Sequence, residues 1–174
     1  MPRKGGVLIL SNHISDIDPI LVQLACRRTI HFMAKSELFE IKLLGPLIRW
    51  FRTFPVKRGE PDRAALRHAI ELLKLGEAVC IFPEGELSQS GELQALQRGA
   101  ALVVRKAGSP VICCGLQRTN RILPYGSFRP RISLCLTKAA WGETKSFDET
   151  AGSAEILAWA ETELRTLTDQ TGST

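Results

Sequence analysis

The run Ser11-Asn12-His13-Ile14-Ser15-Asp16-Ile17-Asp18-Pro19 places two carboxylates within five positions of a histidine. A carboxylate beside an imidazole holds one tautomer and stabilises the imidazolium that forms when the ring takes a proton, so the run describes a general base. No serine or cysteine nucleophile is dedicated to it. Which carboxylate serves depends on local shape. On an ideal helix His13 meets residues three or four along, which selects Asp16. Pro19 disfavours the α region for Asp18 and suits a first helical position. Asp18 is then the expected N-cap of a helix over residues 20–25, and 14–17 form an irregular turn. A carboxylate beyond such a turn can fold back onto the ring. A plain Asn/Ser/Asp turn with an incidental histidine fits the same residues.

A base needs a rigid element behind it. Val7-Leu8-Ile9-Leu10, bounded by Gly5-Gly6 and the polar run, reads as a buried strand. His13 therefore sits where a strand leaves its sheet, the edge at which open α/β sheets bind ligands. Further strands are expected at residues 30–34, 54–58, 78–82, 111–116 and 132–137, and helices at 62–75, 98–106 and 154–167. Strands alternating with helices predict one α/β domain over residues 1–174, a central mostly parallel (mixed) sheet flanked by helices. Residues 36–51 are strongly apolar, broken at Gly45-Pro46 and flanked by Arg49 and Arg52. Core packing, a wall for an acyl chain and an interfacial face that dips into a membrane all fit the segment 38–54.

Composition narrows the partners. With 174 residues, 44% hydrophobic and 24% charged, the chain suits an ordinary globular domain. No apolar run approaches the ~18 residues of a membrane span. Five cysteines, odd in number and without metal-ligand spacing, suggest reduced thiols in an intracellular compartment and no metal site. The net charge of +5 comes with a single tyrosine. The chain thus lacks the aromatic platform on which nucleic-acid bases stack. A phosphate-bearing ligand or a lipid surface is the better match for Arg27, Arg28, Arg49, Arg52, Lys57, Arg58 and Arg63.

With Phe82-Pro83-Glu84-Gly85 following the strand at 78–82, the chain resembles the glycerolipid acyltransferase family, the 1-acyl-glycerol-3-phosphate acyltransferases and their relatives. The family signature is Asn-His-x-x-x-x-Asp followed by Phe-Pro-Glu-Gly. Here it reads Asn12-His13 to Asp18 and Phe82 to Gly85, about 70 residues apart on α/β elements. Phe54-Pro55-Val56-Lys57-Arg58 matches the strand ending in arginine that the family carries between them. The chain departs at Glu86-Leu87-Ser88, where the family often has Thr-Arg-Ser, at Arg52, where a glycine is common, and at Cys113, where a second proline is expected. The family also carries a membrane-associating segment ahead of the first motif. The 174 residues are accordingly expected to be one domain of a longer or trimmed polypeptide.

The resemblance implies a reaction and a set of roles. His13, supported by Asp18, would deprotonate the hydroxyl of a lysophospholipid that attacks an acyl thioester directly, with acyl-CoA or acyl-carrier protein as co-substrate and no further cofactor. Asn12, Arg58, Glu84 and Gly85 are the expected substrate-binding residues. Arg58 would take the acceptor phosphate, Glu84 would orient Arg58 or a glycerol hydroxyl, and Gly85 would let the backbone approach the ligand. Backbone amides near Gly85 or Asn12 would face the oxyanion. The expected setting is peripheral, on the cytoplasmic side of a membrane surface, without nucleic acid. Reacylation of lysophosphatidylethanolamine or another lysolipid, and a non-catalytic lipid- or acyl-carrier-binding module, are the alternatives.

Overall fold

Every residue of the first strand, β1 (Val7–Ser11), is buried, because it runs through the middle of a six-stranded sheet layered on both faces. A strand buried on both sides needs a continuous apolar run rather than alternation, as in parallel α/β sheets. The structure is a computed structural model that describes residues 1–40, 42, 52–56, 63–124 and 137–169. The remaining strands are β2 (Ile30–Lys35), β3 (Phe54–Val56), β4 (Ala78–Ile81), β5 (Val111–Gln117) and β6 (Lys138–Trp141), in the spatial order β3-β2-β4-β1-β5-β6. All neighbours are parallel except β5 and β6, between which the chain forms a short helix, α4 (Thr119–Ile122).

The two faces of β1 feed separate cores. Leu8 and Leu10 point to one side, where α2 (Arg63–Lys74), α3 (Arg98–Ala107) and α5 (Ser153–Asp169) contribute Ala69, Leu73, Val103, Val104, Ile156 and Leu164. Val7 and Ile9 point to the other, packing with Val22 of α1 (Asp18–Leu24), Phe32, Cys80, Ile112 and Cys114. Truncating a residue such as Leu8 to alanine costs about 2–5 kcal/mol in a site packed this way. Close approach matters at Gly115 of β5. A Cβ there would lie 2.5 Å from the Cβ of Leu167, so only glycine lets α5 rest on the strand.

Helices 62–75, 98–106 and 154–167 appear within two residues of expectation, as do the strands at 7–10, 30–34, 78–82 and 111–116. Two expectations change. The helix after the polar run begins at Asp18 with Ile17 as its cap residue, and Asp18 caps nothing in that helix, because its carboxylate is turned back toward the loop. The antiparallel edge strand β6 was not anticipated. Residues 132–136 of the strand expected at 132–137, the basic pair Lys57-Arg58 and nearly all of the apolar segment 41–51 lie outside the described residues. Among the described residues no helix is long and apolar enough to cross a membrane.

Candidate active site

Strands β1 and β4 are parallel neighbours in the register Leu10↔Ile81, so the chain after each leaves the sheet at the same edge. This places His13 and Glu84 together on one rim. The His13 loop is a compact turn. The Asp18 N–H donates to Ser15 O at 3.0 Å, and the Asp18 carboxylate, fully buried, is aimed backwards. Its Oδ2 accepts the N–H of Ile14 at 2.7 Å and of Ser15 at 2.8 Å, and lies 3.0 Å from His13 Nδ1. A helix would have presented Asp16, but residues 14–17 turn instead, and Asp16 is exposed.

The protonation pattern follows from these contacts. An ionised carboxylate only accepts, so Nδ1 is the donor to Asp18, and the lone pair of neutral His13 is left at Nε2. The imidazole also stacks on Phe82, with centroids 4.1 Å apart and planes 21° from parallel. Its backbone is held on both sides. The His13 N–H donates to Glu84 Oε1 at 2.8 Å, and its carbonyl accepts the N–H of Ser88 at 2.8 Å. With the side chain 17% exposed, the ring is fixed yet still reachable.

Asn12 and Glu84 are both engaged by the protein's own backbone. The Asn12 side chain donates to Leu116 O at 3.0 Å and accepts the Leu116 N–H at 2.6 Å, so its amide is taken up by the backbone of β5. It clips the His13 loop to that strand. Glu84 is 2% exposed, with Oε1 on His13 and Oε2 accepting the Gln94 N–H at 2.8 Å. Burial pushes its carboxyl above the ordinary value, against the opposing pull of those two amides. Gly85 has φ +79, and its N–H closes a turn onto Phe82 O at 3.1 Å. Proline at the second position and a left-handed glycine at the fourth suit that turn. Of the amides expected to face an oxyanion, those of His13 and Gly85 already have acceptors. Arg58 lies outside the described residues.

Phe82 and Ser88 were the residues that sequence reasoning did not single out. An aromatic residue immediately before Pro-Glu-Gly was the available signal for Phe82. Ser88 had none, because its contribution is a backbone N–H whose position comes from the loop. Its hydroxyl donates to Glu92 O at 2.7 Å and accepts the Gly91 N–H at 3.1 Å, which closes that loop on itself. Three of the described cysteines are placed away from any nucleophilic role. Cys80, Cys113 and Cys114 are fully buried in the sheet, and burial raises all three thiols, that of Cys114 to about 12. Among the described residues, no cluster of three or more His, Cys, Asp or Glu side chains could hold a metal ion.

Comparison with known proteins points to one family. A family model described as Acyltransferase matches residues 1–117. A 1-acyl-sn-glycerol-3-phosphate acyltransferase of Bacillus subtilis is 29% identical over 98% of this chain and 86% of its own length. A chloroplastic enzyme of the same name from Arabidopsis thaliana is 35% identical over 68% of this chain, which spans only 33% of that relative. The fold matches the crystal structure of a 1-acyl-sn-glycerophosphate acyltransferase, PlsC, from Thermotoga maritima, with a TM-score of 0.80 at 24% identity, covering 99% of this chain and 69% of that one.

Proposed function

The chain belongs to the acyltransferase family, and from that premise we propose that it transfers a fatty acyl group from acyl-CoA or acyl-carrier protein to the free hydroxyl of a lysophospholipid. The acceptor its relatives support is 1-acyl-glycerol-3-phosphate, giving phosphatidic acid. The observation that carries this reading is the His13–Asp18 pair at 3.0 Å, on a ring clamped to the Phe82-Pro83-Glu84-Gly85 turn. Nε2 takes the proton of the acceptor hydroxyl as its oxygen attacks the thioester carbonyl. The tetrahedral intermediate collapses, the ester forms, and the thiolate leaves and recovers the proton from His13. The Asp18 charge and the face of Phe82 both stabilise the imidazolium in between.

No acyl-enzyme is needed, and the buried thiols are placed for none. Asn12 and Glu84 act by holding the base in position, and Arg58 remains the residue proposed for the acceptor phosphate. The work is done at a membrane surface on its cytoplasmic side, where the acceptor resides. The test is to incubate the protein with a panel of lysolipids and with each donor type, reading products by mass spectrometry. Formation of phosphatidic acid is expected. Failure to consume either thioester with any acceptor would remove the proposal.

A further inference from the structure

The connections of the sheet diverge between β1 and β5, since β1 leads through α1 to β2 on one side and β5 leads toward β6 on the other. Open α/β sheets hold ligands at such a divergence, beyond the carboxyl ends of the strands. A cavity of about 430 Å³ opens there, within the roughly 300–1,000 Å³ of small-molecule sites. Asn12 and Ile14, the residues on either side of His13, line it, and so do Arg118, Arg121 and Arg165. Glu92 is the one carboxylate among its described lining residues.

We propose that this cavity binds a phosphate group of a substrate, with Arg118, Arg121 and Arg165 supplying the charge that selects it. Guanidinium groups are planar forks that never lose their charge and match phosphate oxygens two at a time. Three of them around one polar cavity raise the local potential for an anion. Glu161 Oε1 accepts both Nε and Nη2 of Arg165, at 3.1 and 3.0 Å, which leaves Nη1 as a donor for a further acceptor. Arg118 sits at φ 60 and ψ 14, a left-handed conformation unfavourable for a residue with a Cβ, and that backbone turn ends β5 at the cavity.

The substrate's identity rests on the acyl-transfer reading, but the anion site does not. Its phosphate comes from either the acceptor headgroup or the acyl donor, and the two are separable. Isothermal titration with inorganic pyrophosphate is applied to the wild-type chain, to Arg118→Gln with Arg121→Gln, to Arg165→Gln, and to Lys74→Gln as a charge control. Lys74 is exposed at the end of α2, which leads into the amino end of β4. Loss of a charge-assisted hydrogen bond should weaken pyrophosphate binding roughly 10- to 100-fold in the arginine variants and leave Lys74→Gln unchanged.

Steady-state kinetics then separates the sources. A rise in KM for the lysophospholipid alone assigns the acceptor phosphate, and a rise for the acyl donor alone assigns the donor phosphates. Arg165→Gln changes a half-exposed helix residue and keeps the test readable if the Arg118 variant fails to fold. Absence of pyrophosphate binding by the wild type, equal affinity in all variants, or an equal loss in Lys74→Gln would each overturn the site. If the wild type binds pyrophosphate but consumes no thioester, the acyl-transfer reading fails and the anion site stands.

Discussion

Glu84 accepts the backbone N–H of His13 at 2.8 Å across 71 positions of sequence. Its second oxygen holds the N–H of Gln94, so one buried carboxylate joins the loops that follow β1 and β4 and the segment leading into α3. The two motifs are therefore parts of one rigid unit.

Glu84→Gln should loosen that unit. An amide has one acceptor, and its NH₂ would face a backbone N–H, a loss of about 1–3 kcal/mol. The pH dependence has a defined sign. The folded carboxyl lies above its ordinary 4.5, so its contribution is full below 4.5 and is lost as pH rises through the raised value. Urea unfolding between about pH 4 and 7 should show the wild type's advantage over Glu84→Gln shrinking with rising pH. A constant difference would show that Glu84 does not titrate there.

His13→Ala should lower kcat by ~10²- to 10⁴-fold, the usual contribution of a positioned base, with circular dichroism unchanged. Asp18→Asn should damage both activity and stability, because Oδ2 serves two amides as well as the ring. Asp16→Asn, at an exposed position, should stay within about 0.5 kcal/mol of wild type and keep its activity. Full activity in folded His13→Ala would end the general-base assignment.

Phe82→Leu keeps an apolar side chain but removes the flat surface under the imidazole. Ring pairs of this kind contribute about 0.5–1.5 kcal/mol, so kcat should fall roughly 2- to 10-fold with KM little changed. A change confined to KM would place Phe82 against the substrate instead.

Asn12→Ala should destabilise the fold more than it alters substrate affinity. The substitution orphans the N–H and the carbonyl of Leu116, at roughly 1–3 kcal/mol for each buried group. Thermal unfolding measured alongside KM for both substrates checks this. A normal melting temperature with a raised KM would restore a direct substrate contact.

The strands and helices were legible in the sequence because their signals are local. An apolar run such as Val7 to Leu10 is buried in any compact arrangement, and both motifs follow such runs, so their position at strand exits could be read directly. Local spacing pointed to Asp16, and resemblance to a family pointed to Asp18. The turn of 14–17 decides the geometry, since its amides at Ile14 and Ser15 gather the Asp18 carboxylate beside His13. The partners of Asn12 and Glu84 were beyond local reading. Asn12 meets Leu116 across 104 positions and Glu84 meets His13 across 71, contacts that exist only once β1 is registered between β4 and β5. The same registration lays Phe82 under His13 and brings Asn12 and Arg118 to one cavity. Residue type shows which side chains can do chemistry. Which of them meet is set by strand order and register, and these depend on burying both faces of the sheet at once.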